Sequence, residues 1–235
     1  MTDRTPLVLI TRPRDASERF GQSLTRKRQV ETLIAPVIGI EPVGEPADTT
    51  GYDGVIFTSA QAVPRTNARP GLIAYCVGAA TASAARNARF IAQSADGAAD
   101  ELVHLIKAEQ PIGKLLHVRG ADTVGDVAAR LDKAGVPTDE VVVYRQVDLP
   151  ISPTDRAVIA DAPEIIAPVF SARSARRLAA ELGVRSGLRI VAISPAAAKP
   201  WKDDAAEVIT ADAPTIKAML DAVLRALDSD SHCRA

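Results

Sequence analysis

The chain has 235 residues, of which 47% are apolar and 24% charged, enough to bury a sizeable core without a disulfide or metal staple. Lys and Arg number 28 against 29 Asp and Glu, so the formal net charge is −1, which argues against a general nucleic-acid binder with its strongly basic face. Aromatic residues make up only 3% and 42 residues are Ala, which points to helices packed closely on strands.

Leu7-Val-Leu-Ile-Thr11 reads as a buried strand, followed by Arg12-Pro13 and a helix over 16–27, with Phe20 and Leu24 at four-residue spacing. A strand over 30–34, an extended segment over 37–43 and a strand over 55–57 come next. Further strands are expected over 74–77, 90–92, 115–118, 141–144, 165–170, 189–193 and 207–209. Helices fill most of the intervals, the clearest over 100–108, 124–134, 174–182 and 215–227. Short strands alternating with helices predict an α/β protein with largely parallel sheets. The polar end over 228–235 is expected to be disordered, and with it His232 and Cys233.

Segments recur in order at a spacing of slightly more than a hundred residues. Phe57-Thr58-Ser59-Ala60 returns as Val169-Phe170-Ser171-Ala172, and Ala74-Tyr-Cys-Val-Gly78 as Ile190-Val-Ala-Ile-Ser194. The opening strand with Arg12 has an echo in Lys114-Leu-Leu-His-Val-Arg119-Gly120. Two similar small α/β domains from an internal duplication are expected. The extended segments near 36–42 and 141–150 occupy equivalent places in the repeats, where two strands could pair as a linker. The pattern leaves open whether each repeat folds on itself or exchanges halves with the other.

Little points to metal or covalent chemistry. Two cysteines and three histidines show no zinc-site spacing; Cys76 lies in an apolar run, and His104 and His117 read as structural. There is no Gly-x-Gly-x-x-Gly turn, Walker loop or Gly-x-Ser-x-Gly elbow. Met1 to Thr5 is polar and has no signal-peptide pattern, and the longest uncharged stretch, 70–85, is too short to span a bilayer. The expectation is a cytoplasmic protein with no membrane or nucleic-acid partner. What stands out is a set of strand ends followed at once by small residues and a helix: Thr58-Ser59, Gly78 to Thr81, Ser171 and Ser194. In open α/β sheets such turns cap helices and also receive anions. Arg12 and Arg119 occupy equivalent strand ends, where a guanidinium could hold a carboxylate through two hydrogen bonds.

Taken together in order, Leu7-Val-Leu-Ile-Thr-Arg-Pro13, Val55-Ile-Phe-Thr-Ser-Ala60, Cys76-Val-Gly-Ala-Ala-Thr81, Leu115-Leu-His-Val-Arg-Gly120, Val142-Val-Tyr-Arg145, Val169-Phe-Ser-Ala172 and Val191-Ala-Ile-Ser-Pro195 resemble the uroporphyrinogen-III synthase family. The resemblance implies two flavodoxin-like α/β domains. One would be discontinuous (1–36 and 150–228), the other would span 44–140, and strands over 37–43 and 141–149 would link them, with the substrate in the cleft between. It also implies a cofactor-free, metal-free, monomeric lyase. Such an enzyme closes hydroxymethylbilane, supplied by hydroxymethylbilane synthase, with inversion of its last pyrrole ring and loss of water.

Carried over residue by residue, the resemblance points to Thr58, Ser59, Thr81, Tyr144 and Ser171, with Tyr144 as the general acid that helps the hydroxyl leave; a phenol is ordinarily protonated at neutral pH. Arg12, Ala60, Gly78, Arg119, Gly120, Ala172 and Ser194 complete the expected substrate-binding set. The second half departs from the family pattern, because Ser194-Pro195 is followed by Ala196 and Ala197 where a threonine is usual. That departure keeps a second reading in view, a non-catalytic two-domain binder of a carboxylated ligand.

Overall fold

The computed structural model describes residues 6–122, 125–183, 185–201 and 207–232. The chain opens with β1 (Leu7–Ile10), α1 (Arg14–Thr25), β2 (Thr32–Ile34) and β3 (Ile38–Pro42). Then come β4 (Gly54–Phe57), a 3-10 turn (Ala60–Arg65), β5 (Ile73–Cys76), α2 (Ala79–Asn87), β6 (Ile91–Ser94) and α3 (Ala99–Glu109). β7 (Leu115–Gly120), α4 (Val127–Lys133) and the long β8 (Thr138–Asp148) follow. The last stretch carries α5 (Pro153–Asp161), β9 (Ile165–Val169), α6 (Ala172–Leu182), β10 (Leu188–Ala192), α7 (Pro195–Ala198), β11 (Glu207–Thr210) and α8 (Ile216–His232).

Two compact units result: residues 1–39 with 148–235, and residues 40–147. The first is built on a parallel sheet in the order β11-β10-β9-β1-β2. Its central strands β1 and β9 are apolar and buried on both faces, as a sheet covered on two sides requires. Leu7 and Leu9 face a core with Ile159 of α5, Leu178 of α6 and Trp201, whereas Val8 and Ile10 face Phe20 and Leu24 of α1 and Met219 and Val223 of α8. Each such side chain contributes about 1.5–3 kcal/mol on burial, which locks the register of β1.

The second unit has the order β3-β8-β7-β4-β5-β6. Val55 and Phe57 of β4 pack with Val63 of the 3-10 turn and Ala82 and Ala85 of α2; Ile56, on the opposite face, packs with Leu102 and Ile106 of α3 and Leu131 of α4. The alanines let α2 lie close on the sheet. Read as β6-β5-β4-β7-β8 and β11-β10-β9-β1-β2, five strands of each unit follow corresponding spatial orders. The backbone passes from the first unit to the second in β3 and returns in β8, and these strands are hydrogen-bonded neighbours.

Several boundaries differ from the sequence reading. The helix expected over 124–134 starts at Val127, because Gly125 and Asp126 have positive φ of 110° and 41° and interrupt a helical path. The end expected to be disordered is helical through His232, since α8 continues past its last apolar residue, Leu227. β8 is far longer than 141–144 and reaches Asp148. The expectations for Met1 to Thr5, Val124 and Cys233 lie outside the described residues.

Candidate functional site

In the second unit Gly120, Thr58 and Gly78 lie on or just beyond the carboxyl ends of β7, β4 and β5, which are neighbours in that order, and Tyr144, inside the longer β8, is brought level with them by pairing with Gly120. Gly78 precedes α2 with no side-chain cap, and a β-carbon placed on it would meet nothing within 4 Å. The first N–H groups of α2 thus have no capping side chain, and nothing at Gly78 crowds the approach of an anion to them. Thr81, the third residue of α2, is buried, and its hydroxyl makes no hydrogen bond to another described residue. Ser59 caps the 3-10 turn that begins at Ala60, accepting from the Gln61 N–H at 3.3 Å; its own O–H remains able to donate.

Tyr144 is buried against Gly120. The β7–β8 register slips between Arg119 and Gly120, so that Gly120 pairs with Tyr144. The Ala121 N–H donates to the Tyr144 carbonyl at 2.9 Å and fixes the backbone there. A β-carbon on Gly120 would lie 2.5 Å from Tyr144 Cζ, so only glycine admits the ring at this place.

Arg119 points elsewhere. Its Nη2 lies 3.2 Å from Glu140 Oε2, and Glu140 Oε1 lies 3.1 Å from His117 Nδ1. The other ring nitrogen of His117, Nε2, is 3.3 Å from Thr58 Oγ1. His117, Arg119, Asp126, Asp132, Thr138 and Glu140 line a cleft of about 270 Å³ beside α4. Burial pushes the His117 pKa below its ordinary value; Glu140 opposes that shift and Arg119 adds to it. The Arg119 guanidinium is thus already paired, unlike the ligand-facing group the sequence suggested.

The first unit brings Arg12, Ser171 and Ser194 to the carboxyl ends of β1, β9 and β10, again neighbours. Ser171 caps α6, which begins at Ala172, and accepts from the Ser174 N–H at 3.1 Å. Ser174 Oγ donates to the Ser171 carbonyl at 3.0 Å, so the Ser171 proton goes to Ser174 Oγ at 2.9 Å and its hydroxyl has no proton left to give. Ser194 accepts from the Ala197 N–H at 3.4 Å and keeps its proton. The Arg12 guanidinium stacks 4.2 Å from the centroid of Phe170, and no carboxylate among the described residues pairs with it. Burial, with help from Arg19, lowers its pKa, the direction for a desolvated cation that lacks a counter-charge. Ala197 is wholly buried.

Sequence reasoning missed the part played by His117 and Glu140. The signal was the alternation His117-x-Arg119 on one strand face; their partner is 23 residues from His117 and is set by strand register. Among the described residues no group of His, Cys, Asp or Glu could hold a metal ion, and no helix is long and apolar enough to cross a membrane.

Against this geometry, the family described as uroporphyrinogen-III synthase HemD matches the chain over residues 20–221. The chain belongs to the uroporphyrinogen-III synthase family. Enzymes of this family are cofactor-independent lyases of haem biosynthesis that act on hydroxymethylbilane, and this chain is one of them. The uroporphyrinogen-III synthetase from Helicobacter pylori 26695 shares the fold with a TM-score of 0.66 and 16% identity, over 94% of this chain and 99% of that one. A mutant uroporphyrinogen III synthase from the extremely thermophilic bacterium Thermus thermophilus aligns with a TM-score of 0.51 and 17% identity, over 95% of this chain and 99% of that one. A search among curated proteins returned no match.

Proposed function

We propose that this chain closes hydroxymethylbilane to uroporphyrinogen III with the residues gathered at its strand ends. The observation that carries the reading is the open, uncapped start of α2 beside Thr81, on the sheet end that also holds Tyr144. Substrate carboxylates bind the N–H groups of α2 and the free hydroxyl of Ser59, and Arg12 and Ser194 serve the same chemistry in the first unit. Tyr144 gives its phenolic proton to the departing hydroxyl, which leaves as water while the adjacent pyrrole nitrogen shares the developing positive charge. Gly120 admits the ring to that position. The protein need only favour one closure over another; a hundredfold preference is about 2.7 kcal/mol of differential transition-state binding.

The bilane also closes unaided to the uninverted isomer, so this reading sets the enzyme directly after the synthase that makes its substrate. A monomer belongs to this reading. A cytoplasmic location remains part of the same reading, in keeping with a soluble tetrapyrrole substrate. Incubation with hydroxymethylbilane generated in situ, followed by isomer analysis of the oxidised product, tests the proposal. The inverted isomer is expected in excess; the uninverted isomer alone, as without protein, would leave only a binding role.

A further inference from the structure

Thr58, His117, Glu140 and Arg119 form one chain of polar contacts across β4, β7 and β8. Its chemistry has a direction. A carboxylate only accepts, so His117 Nδ1 must carry the proton that bridges to Glu140 Oε1. In a neutral imidazole Nε2 is then a bare acceptor, and the Thr58 hydroxyl must spend its proton on it. Burial of His117 favours the neutral ring. What Thr58 has left is lone pairs.

We propose that His117, held by Glu140, is a positioning residue that fixes the Thr58 hydroxyl as a hydrogen-bond acceptor, so that Thr58 receives a pyrrole N–H of the substrate and not a carboxylate. This rests on the reading of Thr58 as a substrate contact. It gives the neighbouring hydroxyls of Ser59 and Thr58 different tasks: Ser59 keeps a proton for an anion, whereas Thr58 has none to give. Protonation of His117 reverses the polarity, because Nε2–H then donates to Thr58 and releases the threonine proton.

The test joins a spectroscopic measurement to a kinetic one. In protein labelled with ¹⁵N-histidine, and with the His117 signals assigned by elimination using His104→Gln and His232→Gln, Nδ1 should be protonated and Nε2 bare at neutral pH. Thr58→Val should shift Nε2 and leave Nδ1 in place. With hydroxymethylbilane as substrate, Thr58→Val should raise KM about 3–10-fold, the worth of one ordinary hydrogen bond, and change kcat less; Thr58→Ser should restore much of the loss. Lowering the pH through the His117 titration should raise the wild-type KM by a similar factor and leave that of Thr58→Val flat. The other charged groups facing His117, namely Glu140, Arg119, Asp126 and Asp132, are common to both proteins and cancel in that comparison. An Nε2–H tautomer at neutral pH, or the same KM rise in Thr58→Val, overturns the proposal. Wild-type protein that yields only the uninverted isomer defeats the reading of the reaction instead, and the tautomer still decides the role of His117.

Discussion

The ring of Tyr144 occupies the space that a side chain on Gly120 would fill: a β-carbon there would approach Cζ to 2.5 Å and the phenolic oxygen to 2.8 Å. The irregular register between Arg119 and Gly120 brings the two residues opposite one another, and the Ala121 N–H clamps the Tyr144 carbonyl. A backbone feature of β7 thus sets the place of a side chain on β8.

Two substitutions read that relationship from both sides. Tyr144→Phe removes a hydroxyl and almost no volume, so folding should survive while kcat falls roughly 10–100-fold, within the usual range for general-acid assistance. Gly120→Ala keeps the phenol but pushes it aside, so kcat should fall at least as far, at a stability cost of about 1–3 kcal/mol for the added methyl. Steady-state kinetics and denaturant unfolding measure both. Full activity in Tyr144→Phe would reduce Tyr144 to a packing residue of β8.

Arg12 offers a different signature, loss of binding without loss of stability. Its guanidinium is stacked on Phe170, desolvated, and without a carboxylate partner among the described residues. Arg12→Met retains a flexible apolar side chain over the ring, and no carboxylate is left stranded by the change. The melting temperature should hold or rise. KM for hydroxymethylbilane should increase roughly tenfold or more, the worth of a charge-assisted hydrogen bond. An unchanged KM would make Arg12 a packing residue only.

The features that sequence made legible are those dictated by local chemistry. The apolar run over 7–10 declares a strand covered on both faces, and Ser59, Ser171 and Ser194 declare helix starts by residue type alone. The register that joins His117 to Glu140 is another matter, since it depends on how β7 and β8 align, and no short motif records it. The same holds for Arg119: its strand position was visible, but the partner that occupies it was not. The end of α8 was missed for a simpler reason. An established helix continues at little cost without an apolar face, so the polar residues past Leu227 gave no sign of it.

Cys76 should be inert in the folded protein. It is wholly buried in β5, and burial pushes its thiol up to about 12, from an ordinary value near 9.0. Reactivity belongs to the thiolate, so iodoacetamide at pH 8 should leave the Cys76 peptide unmodified in native protein and label it fully in denaturant, as read by peptide mass spectrometry. Rapid labelling of native protein would mean that β5 opens readily and that the strand leading into Gly78 is not a rigid support.

His117 should also leave a mark on the pH dependence of stability. Its folded pKa lies below the ordinary 6.5, chiefly through desolvation, so between the two values the unfolded chain binds the proton that the folded protein refuses. Stability is therefore fully present above about 6.5 and falls as pH drops toward the folded pKa, with a slope on that stretch of at most about 1.4 kcal/mol per pH unit for one group. Urea unfolding of the wild type and of His117→Gln at several pH values isolates this contribution, because Glu140, Arg119, Asp126 and Asp132 are present in both. The variant should be less stable at neutral pH, since it breaks the contacts to Thr58 and Glu140, and its loss of stability on acidification should be shallower. Parallel curves would show that His117 keeps its ordinary pKa in the folded protein. The imidazole would then be substantially protonated at mildly acidic pH, and Thr58 would face the substrate as a donor there.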